Sequence, residues 1–349
     1  MKRKDTKMGT EANKVQTAPL RWIAYLQFGE HMWRDPHPLD RNGRFVKDSI
    51  TVDEASLMRR VEKAKACGAD TVLIDLAEGV AYPRHPEIGI SGSWSGERMN
   101  GFVRKLKAMG LRPIPMLNFS TAHHVWLGEY SRMVSTEPYY RVVTDLIADV
   151  DEIFEKPDGI HFGMDEECVH CCKTRNFCVM RQGDLYWHDI RFYVDAIERR
   201  GARPWMCADK IWWGVDEFVK KCPKSVLQFN WYYDFEFDIG KLKARKRHFE
   251  DLNEPFQWRW VKAYEDLDAA GFDQVPGCSN YLSPLLKAEG ATRNDVNIAR
   301  TVEYCTARIS PERLKGFCCF PWCGITAAAD AEYFDAMEQF RNARKFARG

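Results

Sequence analysis

The chain has 349 residues, 45% hydrophobic and 29% charged, which is the balance of an ordinary soluble globular protein. Lys and Arg number 51 against 50 Asp and Glu, so no global field favours nucleic acid or an acidic membrane surface as a partner. No stretch approaches the ~18–20 apolar residues that a membrane-spanning helix needs.

Residues 1–19 are polar and lack the apolar core of a signal peptide, so they read as a disordered tail. A cytoplasmic protein is the expectation, with loss of a leader as the alternative. From residue 20 to residue 346 the chain reads as one domain. Eight short apolar runs follow one another: Trp22–Phe28, Asp70–Leu76, Leu111–Asn118, Gly159–Met164, Arg203–Cys207, Ser225–Trp231, Asp273–Cys278 and Gly316–Trp322. Near-continuous apolar runs of this length are what strands buried on both faces require. Amphipathic segments lie between them; Val142, Val143, Leu146, Ile147, Val150 and Ile153 hold the i, i+3, i+4 spacing of one helix face. Thr51 or Asp53 is placed to cap the first helix, and Gly68, Gly110, Gly201 and Gly271 stand where helices should end. Strand–helix alternation implies right-handed crossovers and a parallel sheet, and eight units imply a closed (β/α)8 TIM barrel. No Gly-x-Gly-x-x-Gly follows the first run, which removes the dinucleotide-binding case for an open sheet. The basic run Lys241, Lys243, Arg245, Lys246 and Arg247 reads as a solvated helix face.

A (β/α)8 barrel keeps its active site at the carboxyl ends of its strands, so the residues just past each run matter most. Past the fourth run stand Asp165, Glu166 and Glu167. Three adjacent carboxylates at a buried strand end are expensive to desolvate, and crowding raises one pKa toward the range a general acid needs. Twelve Trp residues add candidate platforms for the apolar faces of sugar rings, among them Trp126, Trp212, Trp213, Trp231 and Trp322. Asp75 at the end of the second run and Glu78 just past it, His123 or His124 after the third and Asp209 after the fifth are further candidates for a pocket.

The segment Gly159-Ile160-His161-Phe162-Gly163-Met164-Asp165-Glu166 resembles the His-x-Gly-Gly-Asp-Glu motif of glycoside hydrolase family 20, the retaining β-N-acetylhexosaminidases, with Met164 in place of the second glycine. Tyr82-Pro83 to Glu87 is similar to that family's Tyr-Pro-Glu loop. Arg112 to His124 resembles its third strand, and Asn280-Tyr281-Leu282 its Tyr-Leu-Asp. The resemblance implies a carbohydrate substrate and no catalytic cofactor. It implies Glu166 as general acid/base, Asp165 orienting the substrate's 2-acetamido group, and Tyr281 donating to the acetamido oxygen. It also implies that the acetamido oxygen is the nucleophile, and Gly277–Tyr281 contains no carboxylate that would take that role. His123, His161, Asp209, Trp231, Tyr281, Trp322, Asp75 and Glu78 form the expected substrate-binding set. The chain departs from the family where sugar hydroxyls are bound: Gln27 and Glu30, with His31 and Trp33, stand near the family's Asp and Arg, and Asn118 replaces an acid.

Cys168, His170, Cys171, Cys172 and Cys178 crowd directly behind the acidic pair. Cys168-x-x-Cys171 has zinc-site spacing, and Cys168, Cys171, Cys172 and Cys178 would make a structural zinc site beside Glu166; disulfides and free thiols fit the same pattern. Two further functions therefore stand beside the glycosidase: a metal-dependent hydrolase built on this cluster, and a barrel that binds carbohydrate without catalysis. Nothing in the sequence sets the oligomeric state.

Overall fold

The computed structural model describes residues 19–31, 46–172, 178–244, 257–288 and 290–347. The expected N-terminal tail, Trp33 and the end of the basic run lie outside these residues. Eight strands run in chain order: β1 (Arg21–Gln27), β2 (Thr71–Asp75), β3 (Arg112–Met116), β4 (Gly159–His161), β5 (Arg203–Cys207), β6 (Leu227–Phe229), β7 (Gly277–Cys278) and β8 (Gly316–Cys319). From β1 to β6 each pairs in parallel with the next, β7 pairs with β8, and β8 pairs with β1. Between β6 and β7 closure rests on the bridges Gln228↔Gln274 and Trp231↔Gly277 and on bonds such as Gly277 N–H to Asn230 O, 2.8 Å. The fold is a single (β/α)8 barrel. Its strands are shorter than the apolar runs, because the last residues of most runs leave the ladder to build the mouth.

Helices α1 (Glu54–Ala66), α2 (Gly96–Ala108), α3 (Glu137–Ile153), α4 (Gly183–Glu198), α5 (Val215–Lys221), α6 (Gln257–Ala269), α7 (Asn297–Arg308) and α8 (Asp330–Ala343) wrap the barrel. Asp53 caps α1 by accepting from Ser56 N–H at 3.0 Å. The four glycines expected to end helices all have positive φ, between 79° and 89°. Among the described residues no helix is long and apolar enough to cross a membrane.

Two apolar clusters divide the strand residues by the two-residue period of the pleat. Ile23, Tyr25, Leu73, Ile114, Met116, Trp205, Cys207, Leu227, Phe229, Val275, Cys318 and Phe320 fill the barrel interior. Their neighbours, such as Ala24, Leu26, Val72, Ile74, Met206 and Phe317, pack outward against the helices. The inward rows end in Gln27 and Asp75 on β1 and β2 and, past the ends of β3, β5, β6 and β8, continue to Asn118, Asp209, Trp231 and Trp322. The mouth of the barrel is thus the polar continuation of its apolar core.

Candidate active site

Past β4 the backbone stops being a strand. Gly163, Met164 and Glu166 have φ of 77°, 82° and 58°. Glycine suits the first of these positions for a second reason: a Cβ on Gly163 would stand 2.0 Å from Asn118 Oδ1. Met164 and Glu166 occupy a left-handed region that side chains visit at a cost of ~1–3 kcal/mol each, which the surrounding bonds must offset. The turn sends the two carboxylates of the pair to one place. Nε2 of His123 lies 3.3 Å from Asp165 Oδ2 and 3.1 Å from Glu166 Oε2.

Asp165 is buried and held from three sides. Asn118 Nδ2 donates to its Oδ1 at 2.8 Å, His123 flanks its Oδ2, and the Ser120 hydroxyl donates to its backbone carbonyl. Burial works against its ionisation, but the charge of His123 and the bonds from His123 and Asn118 outweigh it and hold the carboxyl below its usual range. The same pairing acts on His123: burial favours the neutral ring, yet Asp165 and Glu166 push its pKa well above the usual value. Asp165 and His123 therefore form a buried ion pair at neutral pH. Glu166 differs. Its side chain is 34% exposed and faces the mouth, while its backbone N–H donates to Asp209 Oδ2 at 2.9 Å.

Asp209, at the end of β5, braces this arrangement. Its other oxygen accepts from Trp231 Nε1 at 2.9 Å, which joins the acidic pair to an aromatic wall. Trp231 stacks on Tyr233 with centroids 5.0 Å apart, and Trp322 stacks on Phe320 at 5.1 Å and 14°. Burial, with Asp165 nearby, raises the Asp209 pKa well above its usual value. Asp75 is 1% exposed, receives Tyr25 O–H at 2.9 Å, and is pushed up to about 7 by burial. Tyr281, on the loop after β7, is 36% exposed at the rim.

Several sequence candidates sit elsewhere. His161 is fully buried inside the barrel, two inward positions below Asp165; its ring meets Phe229 edge-on at 4.8 Å, and Nδ1 accepts from Gly163 N–H. Burial depresses it to about 3, so it is a neutral core residue beneath the site. Glu78 is also fully buried and accepts from the backbone N–H groups of Glu30 and His31, anchoring the loop after β1. His124 bonds Ser131 O, and burial lowers it to about 4; of the two histidines, His123 serves the site. Trp126 is core, with Nε1 donating to Asn118 O.

The four candidate zinc cysteines lie close to one another behind the acidic pair. Cys171 contacts Cys168, Cys172 contacts Cys178, and the Cys178 thiol donates to Thr121 O at 3.3 Å. Among the described residues no group of three or more His, Cys, Asp or Glu side chains is placed to hold a metal ion. Residues 173–177 and the His170 side chain lie outside the described set.

Glu167, the third carboxylate, turns away from the mouth. Burial opposes its charge, but Arg181 outweighs that cost, with Nε donating to Oε1 at 2.9 Å and the guanidinium meeting Oε2 at 2.6 Å. Arg181 also meets Asp189 Oδ2 at 3.1 Å and Phe119 O at 2.8 Å. Arg181 and Ser120 are not announced by any local spacing in the sequence, because their partners lie 14 and 45 positions away. Arg181→Met should strand Glu167 in an apolar setting and cost ~3–5 kcal/mol of stability, read by urea unfolding at neutral pH. Because the folded Glu167 pKa is depressed, its contribution is present above the unfolded carboxylate pKa and lost as pH falls through the folded value. The difference between wild type and variant should narrow in acid, and a variant as stable as wild type at neutral pH would count against this network.

Fold and mouth together define a (β/α)8 barrel with a histidine-linked Asp–Glu pair at the carboxyl ends of its strands. Solved structures with this fold include a family 20 catalytic module of the pneumococcal exo-β-D-N-acetylglucosaminidase, 14% identical, covering 95% of this chain and 84% of that one with a TM-score of 0.57. The family 20 β-N-acetylhexosaminidase of Streptomyces coelicolor is 12% identical, covering 93% and 64% with a TM-score of 0.58. The N-acetyl-β-hexosaminidase of Streptomyces plicatus is 11% identical over the same shares, at 0.59. No protein-family profile matches the chain, and neither does any curated protein sequence. At these identities the barrel is what is shared.

Proposed function

We propose that the protein is an exo-acting glycoside hydrolase of the β-N-acetylhexosaminidase type, working by substrate-assisted retention. The observation that carries the reading is the division of labour within one His-linked pair: a buried Asp165 held by Asn118 and His123 beside a Glu166 that faces the mouth. Glu166 would protonate the leaving glycosidic oxygen as the 2-acetamido carbonyl oxygen attacks the anomeric carbon. Asp165 would take the acetamido N–H and offset the positive charge of the oxazolinium formed. Tyr281 would donate to the acetamido oxygen, and water, deprotonated by Glu166, would then open the ring to give the retained product. The aromatic wall of Trp231 and Trp322 suits the apolar faces of a sugar. The alternative nucleophiles are poorly disposed: Asp209 has both oxygens in hydrogen bonds, and Asp75 is buried under Tyr25.

The test is a pair of aryl β-glycosides alike except for the 2-acetamido group. Turnover should require that group. Equal turnover of both would remove the mechanism and bring a two-carboxylate route through Asp209 or Asp75 to the front.

A further inference from the structure

Trp322 reaches the mouth through a backbone conformation that its own side chain disfavours. Its φ is 52°, in the left-handed region where residues other than glycine are strained. That turn decides where the indole goes. The ring packs on Phe320, meets Tyr25 with centroids 4.9 Å apart, and hydrogen-bonds the Tyr233 hydroxyl. Tyr233 stacks on Trp231, so Trp322 joins the two sides of the aromatic wall. A strained residue persists only where its surroundings over-determine it, and here the restraint lies just downstream. The carbonyls of Cys323, Gly324 and Thr326 accept from one guanidinium, that of Arg60 on α1, at 3.1, 2.9 and 3.3 Å. The Asp53 N–H, at the cap of the same helix, donates to Ile325 O at 2.9 Å.

The surroundings of Arg60 fit this role. It is 1% exposed; its Nε donates to Asp330 Oδ1 at 2.9 Å, at the start of α8, and its Cζ lies 5.0 Å from the centroid of the Tyr333 ring. The carboxylate balances the charge and the ring covers one face, which leaves the two Nη groups for the loop. A buried cation is expensive, and a helix that only had to pack against the barrel would carry an apolar residue here. The planar fork reaches three carbonyls at once, whereas the single ammonium of a lysine cannot hold the same three in one plane. We infer that Arg60 is a positioning residue: anchored on Asp330, it fixes the loop after β8 so that Trp322 presents its ring to the mouth. Arg60 acts through Trp322 and touches no substrate itself. The inference rests on the reading of the aromatic wall as a sugar platform, and it names what sets that platform.

Two readouts on the full-length protein test it: the Trp322 indole N–H resonance, identified by its loss in Trp322→Phe, and calorimetric binding of N-acetylglucosamine. The variants are Arg60→Lys, Trp322→Ala, the two combined, and Arg59→Gln. Arg59 meets the same Asp330 at 2.9 and 2.7 Å and, among the described residues, bonds none of the three carbonyls, so its variant controls for lost stability. Arg60→Lys should shift or broaden the indole resonance and weaken the sugar about tenfold, the scale of one lost aromatic contact. Arg59→Gln should do neither. Trp322→Ala should weaken the sugar at least as much, and Arg60→Lys added to it should cost nothing further. An unmoved resonance in Arg60→Lys overturns the inference. So does unchanged affinity for a sugar that wild type binds, and so do losses that add in the double variant. If Arg60→Lys melts early, Arg60→Gln provides the same comparison. A wild type that binds no sugar, with the resonance moved in Arg60→Lys, fells the sugar reading and leaves Arg60 as the residue that positions Trp322. Binding without hydrolysis of aryl glycosides fells only the proposed mechanism.

Discussion

Replacing Glu166 with Gln should lower kcat by ~10²–10⁴-fold on substrates with poor leaving groups, the usual worth of a positioned proton donor. The substitution keeps the side chain's shape and its approach to His123 but removes the proton that the leaving oxygen needs. Position makes the residue replaceable without collapse: its side chain is 34% exposed, and the bond that fixes its backbone runs from its N–H to Asp209, which Gln retains. For aryl glycosides whose leaving group departs as a stable anion, the first step needs no proton and the loss should shrink sharply. Steady-state kinetics across a series of leaving-group pKa values checks this. A variant with the same fractional loss throughout the series would show that Glu166 is not the acid.

Much of this site can be read from the sequence because a barrel ties position in the chain to position in space. The apolar runs end where the mouth begins, so Asp165, Glu166, Asp209, Trp231 and Trp322 all stand at the end of a run or within two residues of it. The same period, applied along the fourth run, marks the error over His161: four residues before Asp165 on the inward row, it belongs to the core and not to the rim. Glu78 shows a different limit. A carboxylate after a strand looks like a sugar ligand in sequence, whereas here it satisfies two backbone N–H groups of another loop. The contacts that set the chemistry are between strands. Asn118 to Asp165, His123 to both carboxylates and Asp209 to the backbone of Glu166 join residues 42 to 47 positions apart, and only closure of the barrel creates them. The cysteines are legible as a cluster, but which thiol meets which depends on a helical turn, Val169–Cys172, that their spacing alone does not determine.

Asp165→Asn should fail in a different way from Glu166→Gln. The wild-type carboxylate is held ionised by His123 and Asn118 in a buried setting, where a fixed negative charge is worth far more than it would be in water. Asn keeps the volume and one acceptor oxygen but loses the charge that would face the oxazolinium intermediate, and it leaves the His123 cation without its buried partner. The proton donor remains, so good and poor leaving groups should both react slowly, with kcat down ~10²–10³-fold, the scale on which removal of one preorganised electrostatic group is felt. A cyclic thiazoline that mimics the intermediate should bind wild type well and Asp165→Asn at least tenfold more weakly, whereas Glu166→Gln should keep most of its affinity. The loss of the raised His123 pKa supplies a readout independent of catalysis: the imidazole should titrate closer to its ordinary value in Asp165→Asn, followed by NMR. A thiazoline that binds both proteins equally, with His123 unmoved, would mean that the buried anion does not serve the intermediate, and the acetamido group would lose its place in the mechanism.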